Sequence, residues 1–347
     1  MIKEAIIKVV EGKDLNQKEM GQAFTEIMDG TAKPTQIAAF ITALRIKGET
    51  VTEITAAAKV MRKFASTIDV SRSIDIDRDE INIEKETVLD TCGTGGSGTN
   101  TFNISTTVAF VVAGSGIKVA KHGNRSASSR CGSADVLEAL GVNIDFTPKK
   151  ATECIKKIGI GFMYAPIFHG AMKYAAPVRR TIGIRSIFNI LGPLSNPANA
   201  NCQVLGVYSK DLTPIMACVL GNLGIKRAFV VYGMDSLDEI SITGQTQISE
   251  LKNKKVKTYK ISPEQFGFKI AKPESIRGGN AGVNAKAVLS VLKGKKTPKR
   301  DIVVLNAAFA LVASKKGVKI KEAIRLAEES IDSGAALKKL NELKSYK

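Results

Sequence analysis

The stretch Asp90-Thr91-Cys92-Gly93-Thr94-Gly95-Gly96-Ser97-Gly98-Thr99-Asn100-Thr101-Phe102-Asn103-Ile104-Ser105-Thr106 limits what this chain can fold into more than any other. It lies between a short apolar strand pattern, Thr87–Asp90, and an apolar helix pattern from about Ser105 to Ala113. Its four glycines, interleaved with Ser, Thr and Asn, let backbone N–H groups approach an anion and adopt positive φ. The helix start that follows presents free N–H donors and a partial positive charge. The same texture continues downstream. Ile117-Lys118-Val119-Ala120 reads as a strand, Ser133–Leu140 as a helix stopped by Gly141, and Thr147-Pro148 opens another helix. Gly161–Tyr164, Gln203–Tyr208 and Ala228–Tyr232 read as strands, and helices follow near 281–292, 300–313 and 320–344. This alternation predicts an α/β domain built on a largely parallel sheet.

The glycine loop is not a Walker A loop, because no Gly-Lys-Ser/Thr follows. Gly93-x-Gly95-x-x-Gly98 has the letters of a dinucleotide fingerprint, but no acidic residue after a second strand fits the ribose role. A second polar segment, Lys121-His122-Gly123-Asn124-Arg125-Ser126-Ala127-Ser128-Ser129-Arg130-Cys131-Gly132-Ser133, follows the next strand. In a parallel sheet both loops leave the carboxyl ends of their strands and share one crevice. Lys121, Arg125 and Arg130 with four serines suit a polyphosphate. His122 reads as a packed or hydrogen-bonded wall rather than a catalytic base.

Residues 1–65 read as short amphipathic helices. Asp14 with Gln17 resembles a capping box, Pro34 opens a helix stopped at Gly48, and Thr50 with Glu53 forms a second box. Such helices cannot cover one another completely, so they must pack on something else, a partner subunit being one candidate. Residues 66–86 read as a linker, and the stretch from Ala165 to Ile190 interrupts the strand–helix alternation and reads as partly helical.

The net charge of +18 invites a nucleic-acid reading, yet aromatics are 5% with no Trp, so base-stacking platforms are scarce. Lys252, Lys254, Lys255, Lys257 and Lys260 form the densest basic cluster, with the alternation of a solvated strand. Scattered basicity also steers polyanionic small substrates. No apolar run is long enough to span a bilayer, and Met1-Ile2-Lys3-Glu4-Ala5 does not open a secretory signal. Cys92, Cys131, Cys154, Cys202 and Cys218 are odd in number and lack CxxC spacing, which favours a reducing cytoplasm. With only His122 and His169, no three-histidine metal site exists.

Four blocks together resemble the anthranilate phosphoribosyltransferase family. They are Cys92-Gly93-Thr94-Gly95-Gly96 running into Asn103-Ile104-Ser105-Thr106, and Lys121-His122-Gly123-Asn124-Arg125. The third is Val178-Arg179-Arg180-Thr181-Ile182-Gly183-Ile184-Arg185 with Phe188-Asn189-Ile190-Leu191-Gly192-Pro193-Leu194-Ser195-Asn196-Pro197, and the fourth is Leu237-Asp238-Glu239-Ile240. The resemblance implies a nucleoside-phosphorylase-like fold. A helical domain would take residues 1–70 and about 165–185, and an α/β domain 71–164 and 186–347, with the site at the hinge. It implies a homodimer and transfer of a phosphoribosyl group from 5-phosphoribosyl 1-pyrophosphate to anthranilate.

By the same resemblance, Gly93, Gly96, Ser97, Thr101, Asn103, Ile104, Ser105 and Thr106 hold the phosphoribosyl pyrophosphate. So do Lys121, His122, Gly123, Asn124, Arg125, Ser126, Ala127, Ser128, Ser129 and Ser133. Gly93, Asn124 and Arg179 fall on the anthranilate positions. Ser105, Asp238 and Glu239 fall on the Mg²⁺ positions. Arg179, Asn124 and Lys121 carry most weight in a mechanism of positioning and electrostatics. The family commonly has Asp where this chain has Ser97, which leaves metal placement and loop closure open. Two alternatives remain at this point: a pyrimidine nucleoside phosphorylase of the same fold, and a basic, non-catalytic relative that binds nucleic acid.

Overall fold

A computed structural model describes residues 1–70, 87–95, 98–126, 130–315 and 317–346. The chain opens with four helices: α1 (Ile2–Val10), α2 (Gln17–Met28), α3 (Pro34–Lys47) and α4 (Val51–Phe64). Pro34 occupies the first turn of α3, where its missing N–H costs nothing, and Gly48 ends that helix at φ 89°. The Thr50–Glu53 box forms as expected, with Thr50 N–H on Glu53 Oε2 at 2.8 Å. The first box forms two residues later than expected. Asn16 caps α2 by accepting from the N–H groups of Lys18 and Glu19, and Glu19 takes the Asn16 N–H in return. A carboxylate at the third helical position accepts that N–H better than the Gln17 carboxamide would. Asp14 instead pairs with Lys47 at 2.7 Å.

The remaining elements are β1 (Val88–Gly93), α5 (Ile104–Gly114), β2 (Lys118–Gly123), α6 (Ser133–Ala139), α7 (Pro148–Ile158), β3 (Ile160–Tyr164), α8 (Ala165–Phe168), α9 (Ala175–Ile182), α10 (Phe188–Leu191), β4 (Cys202–Gly206), α11 (Leu212–Asn222), β5 (Arg227–Gly233), β6 (Thr246–Lys252), β7 (Lys255–Ile261), α12 (Ala281–Leu292), α13 (Pro298–Ser314), α14 (Ile320–Asp332) and α15 (Ala335–Ser345). They form a seven-stranded sheet in the order β3-β2-β1-β4-β5-β6-β7. The first five strands in that order are parallel, and β5, β6 and β7 pair antiparallel. The largely parallel α/β sheet expected from the alternation is therefore present, with an antiparallel edge that the alternation did not show.

Two expectations need correction. The lysine cluster is a hairpin rather than one strand. Lys252 ends β6, Asn253 and Lys254 turn at φ 51° and 61°, and Lys255, Lys257 and Lys260 lie on the edge strand β7. Lysines on an edge strand discourage pairing with another chain. The helix expected at 320–344 is two helices, broken at Gly334 with φ 79°.

Each face of the sheet carries its own apolar cluster. On one, α5 and α13 pack with α14 and α15, and α13 is buried from Ile302 through Ala313. On the other, α11 packs with α4 and the apolar residues of α2, α3, α9 and α10. The N-terminal helices thus find the cover they lack alone on α11 and on the 175–194 segment. Arg62 stitches this layer by donating from Nε to Leu194 O at 2.7 Å.

Because α5 and α11 cover opposite faces, the strand order reverses direction between β1 and β4. Open α/β sheets bind ligands at such a switch point, outside the carboxyl ends of the strands. Gly93 and Gly206, which pair across β1 and β4, mark that point.

Candidate active site

The glycine loop leaves β1 at the switch point. Thr94 N–H continues the β1–β4 ladder by reaching Gly206 O at 2.9 Å, and Gly95 and Gly98 turn at φ 69° and 73°. The loop re-enters regular structure at α5, whose first turn carries Ser105. Two acidic residues from the segment after β5 close on both ends of this arch. Asp238 Oδ2 accepts the Gly95 N–H at 3.2 Å, and Glu239 Oε1 accepts the Ser105 N–H at 3.1 Å. Ser105, Asp238 and Glu239, far apart in sequence, are thereby brought together.

Asp238 needs room that only glycine leaves. A Cβ on Gly93 would stand 2.6 Å from its Oδ2, and one on Gly206 would stand 1.6 Å from its carbonyl oxygen. Gly206 was missed in the sequence reading, which ran the strand from Gln203 through it to Tyr208, whereas β4 ends at Gly206.

Lys121 faces the floor of this arch. It is buried, and its Nζ donates to Thr91 O at 2.6 Å and to Ser105 Oγ at 3.4 Å. Burial pushes the ammonium down, and the nearby carboxylates, Asp90 above all, oppose that shift. Asp90 is fully buried, and burial pushes its carboxyl up against the pull of Lys121. Read only as part of a strand, Asp90 gave no sign of this pairing. Glu239 is half-buried and pushed up to about 8, first by burial and then by the charge of Asp238.

That electrostatic state tests the metal expectation. Two carboxylates, a hydroxyl and a desolvated setting form a hard-oxygen donor set. A divalent cation there would relieve both causes that raise Glu239. Among the described residues no cluster of three or more His, Cys, Asp or Glu is arranged as a metal site. Mg²⁺ does not need one, since it keeps several waters beside one or two carboxylates.

The second loop leaves β2 alongside. Gly123 ends the strand, and a Cβ on it would collide with Ser133 Oγ at 2.1 Å. Asn124 is exposed at the loop start, and its carbonyl accepts from the Ala134 N–H at 3.2 Å. Asp135 Oδ2 fastens both ends of the loop by accepting from Ser126 N–H at 3.1 Å and Gly132 N–H at 2.8 Å. Arg125 does not reach inward as the polyphosphate reading has it. It pairs with Asp135 at 3.0 Å and Glu138 at 2.8 Å on α6. Gly96, Ser97, Ala127, Ser128 and Ser129 lie outside the described residues.

Asn103 joins the two loops, donating from Nδ2 to Cys131 O at 3.2 Å. Its Oδ1 accepts from Asn284 at 2.9 Å, and Asn284 also accepts the Gly279 N–H at 2.7 Å. Thr101 bridges to Arg277. The segment Arg277-Gly278-Gly279-Asn280 thus forms a third wall, missed because its glycines precede a helix with no strand before them. Ile104 and Thr106 are buried, so their side chains serve the core rather than a ligand.

His122 faces His169 with ring centroids 4.9 Å apart. Burial pushes His122 down to about 3, helped by His169, and His169 down to about 4. Both are neutral at pH 7, in keeping with the reading of His122 as a wall. The folded chain therefore refuses protons that the unfolded one takes up near pH 6.5. Stability is expected to fall as pH drops from 6.5 to 5, by at most about 2.7 kcal/mol per pH unit for two such groups. Urea titrations giving equal stabilities at pH 6.5 and 5 would contradict this.

Arg179 lies on α9, half-buried, with its guanidinium over the Phe188 ring at 5.2 Å. Burial lowers its pKa, and no acidic side chain among the described residues pairs with it. A desolvated planar cation of this kind suits a ligand carboxylate.

A parallel sheet with an anion-type loop at its switch point, an acidic pair beside it and a helical layer alongside is the arrangement of a glycosyl transferase with a helical bundle and an α/β part. Residues 3–65 match the helical bundle domain of a glycosyl transferase family, and residues 85–337 match its a/b domain. The chain is similar to the anthranilate phosphoribosyltransferase of Geotalea daltonii, 58% identical over 99% of both chains. It is 59% identical to that of Geobacter sulfurreducens over 99% of this chain and 98% of the relative. Among solved structures, anthranilate phosphoribosyltransferase from Thermus thermophilus superposes with a TM-score of 0.90 at 39% identity, covering 99% of this chain and 98% of that one. The Saccharomyces cerevisiae enzyme in complex with PRPP and Mg superposes at 0.87 and 29% identity, over 99% of this chain and 96% of the other. The chain belongs to the anthranilate phosphoribosyltransferase family, as the four blocks implied.

Proposed function

We propose that this chain transfers the phosphoribosyl group of 5-phosphoribosyl 1-pyrophosphate to the amine of anthranilate, giving N-(5-phosphoribosyl)anthranilate and pyrophosphate, a step of tryptophan biosynthesis. The observation that carries the reading is the pair Asp238 and Glu239, each accepting an N–H from one end of the glycine arch. In the reaction the bond from the anomeric carbon to the pyrophosphate oxygen breaks, and the leaving group keeps the electron pair. The amine nitrogen attacks the opposite face, inverts that carbon and then loses a proton to water. Aromatic amines are neutral at pH 7, so the site needs no strong base, and neither buried histidine is asked to act as one.

Asp238, Glu239 and Ser105 would hold Mg²⁺, which supplies charge neutralisation of the pyrophosphate. The N–H groups of the glycine arch and of the second loop position the phosphates, and Lys121 adds positive charge from below. Arg179 and Asn124 orient anthranilate, with the guanidinium on its carboxylate. We place the hinge where segment 165–185 meets the α/β layer. The division into residues 1–70 with 165–185, and 71–164 with 186–347, is part of this proposal.

A homodimer through the N-terminal helices is also proposed. Its support is that Ile7, Val10 and Ile46 are 59%, 70% and 83% exposed on α1 and α3, which pack together. Among the described residues no helix is long and apolar enough to cross a membrane, and all five cysteines are free. These features fit the proposed cytoplasmic setting.

The direct test is consumption of anthranilate, followed by its fluorescence, with phosphoribosyl pyrophosphate in the presence and absence of Mg²⁺. Turnover that needs all three is expected; phosphorolysis of uridine or thymidine instead would overturn the reading. Arg179→Ala is expected to raise KM for anthranilate by about 30- to 150-fold, the loss of a charged hydrogen-bonded contact worth about 2–3 kcal/mol. KM for phosphoribosyl pyrophosphate should stay within about threefold, so an equal rise for both substrates would remove Arg179 from the anthranilate site.

A further inference from the structure

Behind the acidic pair stands a side chain that no reading of the site has used. Asn306 lies in the middle of α13, in a helix otherwise apolar from Ile302 to Ala313, and is 1% exposed. A carboxamide there is costly unless every polar atom is satisfied. Asn306 Oδ1 accepts the N–H of Ile240 at 2.9 Å. Its Nδ2 donates to the carbonyl of the same residue at 2.8 Å and to Ile302 O, one turn back on its own helix, at 2.8 Å. The two bonds to Ile240 copy the pattern by which one strand grips another. They hold the backbone directly after Glu239.

The acidic segment is pinned elsewhere by its own short-range bonds. Gly233 N–H reaches Leu237 O at 2.8 Å, Met234 N–H reaches Gln245 O at 2.8 Å, and Ser241 Oγ donates to Asp235 Oδ2 at 2.6 Å. Those contacts tie the turn to itself and to the β5–β6 connection, and Ala271 N–H, bonded to Ile242 O at 2.9 Å, ties it to the segment before α12. Asn306 ties it to α13, which packs against α5. Ser105, on the first turn of α5, donates its N–H to Glu239. Helix α13 thereby fixes the backbone that carries Glu239 relative to α5, whose first turn that carboxylate meets. A hydrophobic residue at 306 would fill the core as well and leave the Ile240 N–H and C=O unpaired beside the site.

We propose that Asn306 is a positioning residue for the Asp238–Glu239 pair: it sets the place of the Glu239 carboxylate at the α5 N-terminus and of the Asp238 carboxylate at Gly95, and so the affinity for the metal-laden diphosphate. The proposal rests on the assignment of Mg²⁺ to that pair under the proposed function. It is a role in binding and orientation, without contact to the reacting atoms.

The test is calorimetric titration of the full-length protein with phosphoribosyl pyrophosphate, at a series of Mg²⁺ concentrations and without anthranilate, so that no turnover is required. Three variants are compared with the parent. Asn306→Ala removes all three bonds. Asn306→Ser keeps a hydroxyl that can reach Ile302 O but not Ile240, and decides the matter if the alanine variant does not fold. Leu311→Ala, further along α13, supplies a core destabilisation away from the acidic segment. Asn306→Ala and Asn306→Ser are expected to weaken Mg²⁺-dependent binding at least tenfold and to raise the half-saturating Mg²⁺ concentration, while KM for anthranilate changes less than twofold. Leu311→Ala should lower Tm with binding unchanged. If the Asn306 variants lose Tm and keep parental affinity within twofold, Asn306 is a core residue only and the proposal is overturned. If the parent itself binds phosphoribosyl pyrophosphate without regard to Mg²⁺, the metal assignment fails instead.

Discussion

Replacing Asp238 and Glu239 together by alanine is expected to lower kcat/KM for phosphoribosyl pyrophosphate by about 10³-fold or more, roughly 4 kcal/mol of transition-state stabilisation. The size follows from what the pair would hold. A pyrophosphate leaving without a counter-cation would carry its developing charge unaided in a partly desolvated cleft. Removing charge stabilisation of that kind costs several kcal/mol. A second readout separates this from general damage. In the free protein the pair is a liability, because burial and mutual repulsion raise Glu239 to about 8. Relief of that liability opposes the loss of the two bonds to the Gly95 and Ser105 N–H groups, so the double variant should stay within about 2 kcal/mol of the parent in urea. It should also lose the stabilisation that Mg²⁺ with phosphoribosyl pyrophosphate confers. Turnover near the parental rate, or retained stabilisation by those ligands, would take the two carboxylates out of the metal site. Asp238→Asn and Glu239→Gln keep an oxygen ligand and lose the charge, and should fall between.

Much of the frame around this pair is legible in the sequence because it depends on neighbours. Pro34, Gly48, Thr50 and Glu53 set helix ends through residues within one turn, and the structure places those ends accordingly. The cap at Asn16 went astray by two residues because Asp14-Leu15-Asn16-Gln17-Lys18-Glu19 contains two overlapping candidates. Only the competition for the better acceptor decides between them. The lysine hairpin was read as one strand because a turn at Asn253-Lys254 without glycine sends no strong local signal.

Within the site the division is sharper. Loops following strands announce themselves by composition, so the glycine arch and the Lys121–Ser133 segment were found. Partners that arrive from far along the chain do not. Asp90 acquires meaning only beside Lys121, and His169 only beside His122. Asn284 meets Asn103 across 181 positions, and Asn306 meets Ile240 across 66. Arg125 shows the converse. Its type fits a phosphate, yet α6 carries Asp135 and Glu138 within its reach, and proximity decides.

Gly206 belongs to the same group of residues legible only in three dimensions, and its substitution carries the second large expected effect. Gly206→Ala should lower kcat/KM by about 10²-fold, the typical cost of a misplacement of about 1 Å at a reacting centre. The added Cβ would sit 1.6 Å from the Asp238 carbonyl oxygen and 2.4 Å from its carbonyl carbon, so backbone must move. Gly206 is held on both sides, paired with Gly93 on β1 and Val231 on β5, and cannot retreat. The segment carrying Asp238 has to give way instead, and with it the carboxylate that accepts from Gly95. Gly93→Ala meets the same residue at its side-chain tip, 2.6 Å from Oδ2, which can rotate aside, so a smaller loss is expected there. Gly21→Ala, inside α2 with nothing within 4 Å, should leave activity unchanged and raise stability by up to about 1 kcal/mol. That ordering separates backbone displacement from side-chain crowding. If Gly93→Ala proves as damaging as Gly206→Ala, the glycine arch itself is the sensitive element, and the place of Asp238 over β4 matters less than the geometry indicates.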